Sequence, residues 1–161
     1  MSALGRYRKR GQKRHEMEVF MHSHYNPILA SVIMGWFIAQ FLKTLVTFIT
    51  TKKIKPHRMI GAGGIPSGHS AAVCALSVGI GRTCGVESPE FALAITLAAV
   101  VLYDAMGIRR AAGEQAKVLN DMLRRSADCT CAPLNENLGH KPIEVLCGVL
   151  IGAVVSFLMV R

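Results

Sequence analysis

Two histidines mark the places where this chain could do chemistry. His140 stands four residues ahead of Glu144 in Gly139-His140-Lys141-Pro142-Ile143-Glu144-Val145. At that spacing both side chains share one helical face. The carboxylate can then hold one imidazole nitrogen and leave the other as a nucleophile. The plainer alternative is an interfacial histidine beside a glutamate that complements the dipole of a helix N-terminus. His69 lies in Gly63-Gly64-Ile65-Pro66-Ser67-Gly68-His69-Ser70, directly before an alanine-rich run. Glycines let a ligand approach the backbone, Ser67 can cap the helix, and the free N–H groups of its first turn form an anion site. A histidine in that turn can give or take a proton at the bound group. An ordinary helix start explains the same turn residues equally well.

The elements that must position these groups are apolar. Ile28–Thr50, Ile65–Gly81, Phe91–Ile108 and Ile143–Val160 each contain a single ionisable group: Lys43, His69, Asp104 and Glu144 respectively. A helix crossing the bilayer core needs about 20 mostly apolar residues. Four such blocks in 161 residues leave little polar surface for a water-soluble fold, although a buried four-helix core is the competing arrangement. The expectation is an all-α, polytopic membrane helix bundle with about four transmembrane helices. Ala111–Arg125 keeps a helical period, with Ala112, Ala116, Leu119 and Leu123 on one face, and is expected to be an interfacial helix. Pro27 and Pro142 fit the first position of their helices. Gly148 and Gly152 have the small-residue spacing that brings membrane helices close.

Charge at membrane depth is costly, by at least about 2.5–3.5 kcal/mol per group on insertion scales, so intramembrane ionisable residues generally face partners or a wet site. Lys43 lies about two-thirds along its block, with Gln40 one turn earlier. It either faces such a site or snorkels past seven further residues to the interface.

The net charge of +9 is uneven, with six Lys and Arg crowded into the first fourteen residues. A single aromatic residue, Tyr7, stands among them and no recognition motif follows, so nucleic acid is not the expected partner; anionic lipid is. Residues 1–25 are expected to form a disordered basic extension rather than a signal peptide, and residues 26–161 the membrane domain. Five cysteines, with Cys129 and Cys131 one residue apart, give neither a zinc-knuckle spacing nor an even disulfide framework. No metal or other cofactor is expected.

Pro66-Ser67-Gly68-His69 resembles the central motif of the type 2 phosphatidic acid phosphatases and the vanadium-dependent haloperoxidases. His140-x-x-x-Glu144-Val145-x-x-Gly148-x-x-x-Gly152 is similar to the end of their third motif. The stretch from Asn26 to Val160 resembles the divergent branch of that superfamily more closely. The features are Ala39-Gln40-x-x-Lys43, then Gly63-Gly64-x-Pro66-Ser67-x-His69-Ser70-Ala71, then Asp104-Ala105-x-Gly107-x-Arg109-Arg110-x-x-Gly113-x-Gln115-Ala116. The resemblance implies that His140 attacks phosphorus, Glu144 orients it, and His69 protonates the leaving oxygen and later activates water. Lys43, Arg58, Arg109 and Arg110 would neutralise the phosphoryl oxygens with the backbone of Ser67, Gly68 and His69. Gln40, Ser70, Asp104 and Gln115 would support them.

This chain also departs from the superfamily. Arg58 is followed by Met59 where the superfamily has Pro, and no lysine stands seven residues before it. Arg109 and Arg110 lie about thirty residues before His140, and Glu144 replaces Asp. The phosphate cradle is therefore rebuilt. Three functions stay open: a metal-independent phosphatase acting on a lipid or polyprenyl phosphate, a non-catalytic phosphate-ligand binding or scaffolding protein, and a small transport or regulatory component. The expected location is a membrane, the cell membrane if the source is bacterial. A homo-oligomer is left open, as is orientation, because Lys and Arg are nearly balanced across the membrane.

Overall fold

The computed structural model describes residues 26–52, 64–125 and 131–161. The expected basic extension and Arg58 lie outside the described residues. The described residues form five helices and no strand: α1 (Pro27–Thr51), α2 (Gly68–Thr83), α3 (Pro89–Met106), α4 (Ile108–Arg125) and α5 (Pro142–Met159). Local chemistry sets the ends. Asn26 Oδ1 accepts the Leu29 N–H at 3.0 Å and Ser88 Oγ accepts the Phe91 N–H at 3.1 Å. Each supplies a partner that the open first turn lacks. Pro27, Pro89 and Pro142 occupy the opening turns, where a missing N–H removes no helical bond. Lys52 closes α1 in the left-handed region at φ 51°, its N–H bonded to the Phe48 carbonyl.

The bundle is built from small residues inside and large ones outside. Ala39, Ala71, Ala75, Ala94, Ala98 and Ala105 are buried, as are Ser31, Ser67, Ser70, Ser77 and Ser156. Phe37, Phe41, Leu93, Val100, Tyr103, Phe157 and Leu158 are more than half exposed. Water does not stabilise such a surface, and lipid does. Small residues let helix backbones approach where no hydrophobic force drives them together. Three helices are long and apolar enough to cross a membrane: Pro27–Thr50, the α3–α4 stretch Pro89–Arg125, and Pro142–Met159. The chain is an integral membrane protein. The fourth expected span is the shorter α2, whose 16 residues reach about 24 Å at a rise of about 1.5 Å per residue. It packs against α1, α3 and α5, and so sits at the centre of the bundle.

α2 and α5 make the tightest crossing. A Cβ on Gly148 would overlap the Ser67 carbonyl, and one on Gly152 would overlap the Ala71 carbonyl. At the other end Ser31 and Ser156 hydroxyls meet at 3.4 Å, and the Arg82 guanidinium lies 4.1 Å over the Phe157 ring. Gly152→Leu should therefore force the pair apart. Overpacking of this kind costs roughly 1–3 kcal/mol, so the midpoint of thermal unfolding in detergent should fall. An unchanged midpoint would mean that the helices do not cross at this glycine.

α4 follows α3 after a break at Gly107. Its buried line is Gly113, Ala116 and Asn120, adjoining the expected periodic face of Ala112, Ala116, Leu119 and Leu123, on which Leu119 is exposed. The burial of Gly113 and Asn120 comes from residues 131–138, which lie along α4. Asn120 donates to the Leu134 carbonyl at 2.9 Å and to Glu136 Oε1 at 2.7 Å, and its Oδ1 accepts the Leu134 N–H at 2.8 Å. A Cβ on Gly113 would come within 2.8 Å of the Leu138 carbonyl oxygen, so the segment needs a glycine there.

Candidate functional site

The first turns of α2 and α5 meet. The Ser67 N–H donates to the Glu144 carbonyl at 3.0 Å. The glycines Gly148 and Gly152 bring the two helices close enough for that bond to form. Two helix N-termini thus open on the same place, but Pro142 has no N–H and those of Lys141 and Glu144 are bonded within the α5 turn, so the first turn of α2 is the one that favours an anion. Ser67 is fully buried; its Oγ receives the Ser70 hydroxyl at 2.8 Å and faces the Ser70 N–H at 3.4 Å. These serines therefore shape the turn around Gly68.

His140 enters from the segment lying on α4. Gly139, at φ +80°, packs its backbone directly on that of Arg110, where a side chain would collide. The His140 N–H then donates to the Ala105 carbonyl in the last turn of α3, at 2.9 Å. The His140 side chain is 4% exposed, and its Nδ1 lies 3.0 Å from Glu144 Oε2. The same carboxylate oxygen accepts the Lys141 N–H at 3.2 Å. An ionised carboxylate only accepts hydrogen bonds, so the shared proton belongs on Nδ1 and the lone pair on Nε2. That is the tautomer a nucleophilic imidazole needs.

The cations come from two directions. Lys43 on α1 is 4% exposed and has no hydrogen bond or ion pair among the described residues. Gly64, at φ +91°, lies over its stem, where a Cβ would sit 3.7 Å from Lys43 Cγ and Cδ. Glu144 acts electrostatically on Lys43, and Lys43, Arg109, His140 and Asp104 all act on His69. Lys43, His69, Asp104, Arg109, His140 and Glu144 therefore form one cluster although 101 positions separate its first and last members. His69 is exposed, as a group exchanging protons with a ligand or water would be. Arg109 Nε bonds Asp104 Oδ2 at 2.6 Å, which fixes the guanidinium and leaves its two terminal nitrogens available.

Other expected residues have different positions. Gln40 lies on α1 against Gly68: a Cβ there would come within 3.2 Å of Gln40 Nε2 and of Trp36 Cδ1. Its Oε1 is buried without a partner among the described residues. Arg110 and Gln115 are exposed on α4, and neither is among the charges or polar groups acting on His69. Trp36 is a participant that the motifs pass over, while Ala105 and Gly139 stand within them without an assigned role. For Trp36 the signal was present, since Trp36, Gln40 and Lys43 recur at the spacing of one helical face.

Arg109→Lys keeps the charge but cannot both hold Asp104 and present a two-nitrogen fork. Calorimetry should show vanadate affinity falling several-fold in the variant. Equal affinities would confine Arg109 to its pairing with Asp104.

Residues 24–155 match the family model described as the Divergent PAP2 family. An uncharacterized membrane protein, YuiD, of Bacillus subtilis (strain 168) is 37% identical over 147 residues, covering 83% of this chain and 92% of that relative. No solved structure matches the chain.

Proposed function

Since the chain belongs to the divergent PAP2 family, we propose that it hydrolyses a lipid or polyprenyl phosphate through a phosphohistidine on His140. The observation that carries this reading is Lys43. A lysine 4% exposed, with no hydrogen bond or ion pair among the described residues and only the attraction of Glu144 from beyond ion-pair distance, is costly unless an anion joins it. It stands where two helix N-termini and both histidines converge. Phosphoryl transfer asks for little else, because positioning and charge stabilisation supply most of its catalysis.

In the proposed reaction the Nε2 lone pair of His140 forms a bond to phosphorus as the ester P–O bond breaks. Protonated His69 gives its proton to the departing alkoxide. Neutral His69 then takes a proton from water, whose oxygen attacks phosphorus. The P–N bond breaks, its electrons return to Nε2, and inorganic phosphate leaves. Glu144 holds the imidazole throughout and stabilises the positive charge it acquires. Lys43, Arg109 and the first-turn amides of α2 receive the phosphoryl oxygens.

The test is a panel of lipid and polyprenyl phosphates offered to the detergent-purified protein with a chelator present. Phosphate release together with an acid-labile, base-stable phosphoenzyme is the expected result. A second reading, a phosphate-ligand binding protein without turnover, is favoured by the Asp104–Arg109 pair, which offsets one cation of the cradle. Vanadate binding with no phosphoenzyme on any substrate would establish that reading instead.

A further inference from the structure

α4 has three different sides. One, Gly113, Ala116 and Asn120, is covered by residues 131–138. A second carries Arg110, Glu114, Lys117, Asp121 and Arg124. The third presents Ile108, Val118, Leu119 and Met122, between 49% and 65% exposed, with nothing among the described residues covering them. Helical spacing places these four on one arc. Bulk water is an unfavourable neighbour for such an arc, and its position on the chain says what covers it. α4 leaves α3, a membrane-crossing helix, after a single residue, and Tyr103 and Ile108 are both exposed on either side of Gly107. The apolar arc therefore begins where the lipid-facing surface of α3 ends. Five cations against two carboxylates on α4 suit an anionic headgroup layer.

The covered side connects this surface to the candidate site. Asn120, 3% exposed, holds Leu134 by both backbone groups and Glu136 by its carboxylate. Four residues after Glu136 the same segment delivers His140, with Gly139 seated on the backbone of Arg110 at the start of α4. We propose that α4 lies in the bilayer surface on its Ile108, Val118, Leu119 and Met122 face, and that Asn120 fixes the His140 segment to it. The histidine is thereby held at the depth of lipid headgroups. The surface assignment stands independently of the phosphatase reading; only the meaning of holding His140 there rests on it.

The experiment uses the full chain with a benzophenone amino acid at Leu119 or, on the polar side, at Asp121. Each protein is reconstituted in phosphatidylcholine vesicles with and without phosphatidylglycerol, and irradiated. Lipid adducts at position 119 should exceed those at 121 several-fold and rise with phosphatidylglycerol. Equal adducts at the two positions would overturn the proposal, as would a crosslink from 119 to a second copy. The coupling is read separately, by the rate at which diethylpyrocarbonate modifies His140, with exposed His69 as the internal reference. Asn120→Ala should raise the His140 rate several-fold and leave the His69 rate alone. An unchanged His140 rate would remove Asn120 as its positioning residue. Neither readout requires turnover, so an inactive protein with the expected adducts would overturn the phosphatase reading alone.

Discussion

His140→Ala is expected to abolish the phosphoryl burst with every substrate, whereas His69→Ala should do so selectively. The two histidines differ in environment as the proposed roles would require. His140 is buried and held by Glu144 at 3.0 Å, the setting of a fixed nucleophile, while His69 is exposed at the opening of α2. A general acid matters in proportion to how badly the leaving oxygen needs its proton. An alkyl phosphate departs as a poor alkoxide, and there His69→Ala should slow phosphoenzyme formation by about 10²–10⁴-fold. A nitrophenyl phosphate departs as a stable phenolate, and its burst should largely survive. Steady-state turnover would stay slow for both, because His69 must also activate water. The single-turnover burst is therefore the measurement to make. Equal suppression with both substrates, or a burst retained in His140→Ala, would show that the roles are wrongly assigned.

The sequence made local features legible and left the long-range ones hidden. Single ionisable groups in apolar blocks marked α1, α2, α3 and α5, and the i, i+4 spacing paired His140 with Glu144, although His140 stands two residues ahead of Pro142 and not on the face of α5. Ser67 and the prolines marked helix starts for reasons confined to a few bonds. The crossing of α2 and α5 was only half legible. Gly148 and Gly152 announced a close approach, but not that its partners would be the carbonyls of Ser67 and Ala71, about eighty positions away. The bond from the Ser67 N–H to the Glu144 carbonyl follows from that packing, and no local pattern encodes it. The buried side of α4 was not legible for a related reason. Period alone finds the apolar face, yet here a polar residue, Asn120, is buried because a loop supplies its partners, while Leu119 stays exposed. In a membrane protein exposure and hydrophobicity are uncoupled, so an apolar stripe does not locate the protein interior.

The depth of Lys43 supplies the second large effect. At two-thirds of the way along its helix the residue could have snorkelled to the interface, but its side chain is 4% exposed beneath Gly64 and lies in the field of Glu144. Lys43→Met keeps the length and apolar stem of the side chain and deletes the ammonium. Two consequences with opposite signs should follow. A hydrogen bond to a charged group is worth about 1.5–3 kcal/mol, and each 1.4 kcal/mol is about tenfold, so vanadate affinity should fall roughly tenfold to a hundredfold. The unliganded protein should at the same time lose a desolvated cation that has no hydrogen bond or ion pair among the described residues, and its thermal midpoint in detergent should hold or rise. A structural lysine would behave otherwise: its removal would lower the midpoint and leave vanadate binding untouched. Calorimetric titration and thermal unfolding of the same preparation separate the two cases. Unchanged vanadate affinity would remove Lys43 from the phosphate site, and with it the observation on which the proposed function chiefly rests.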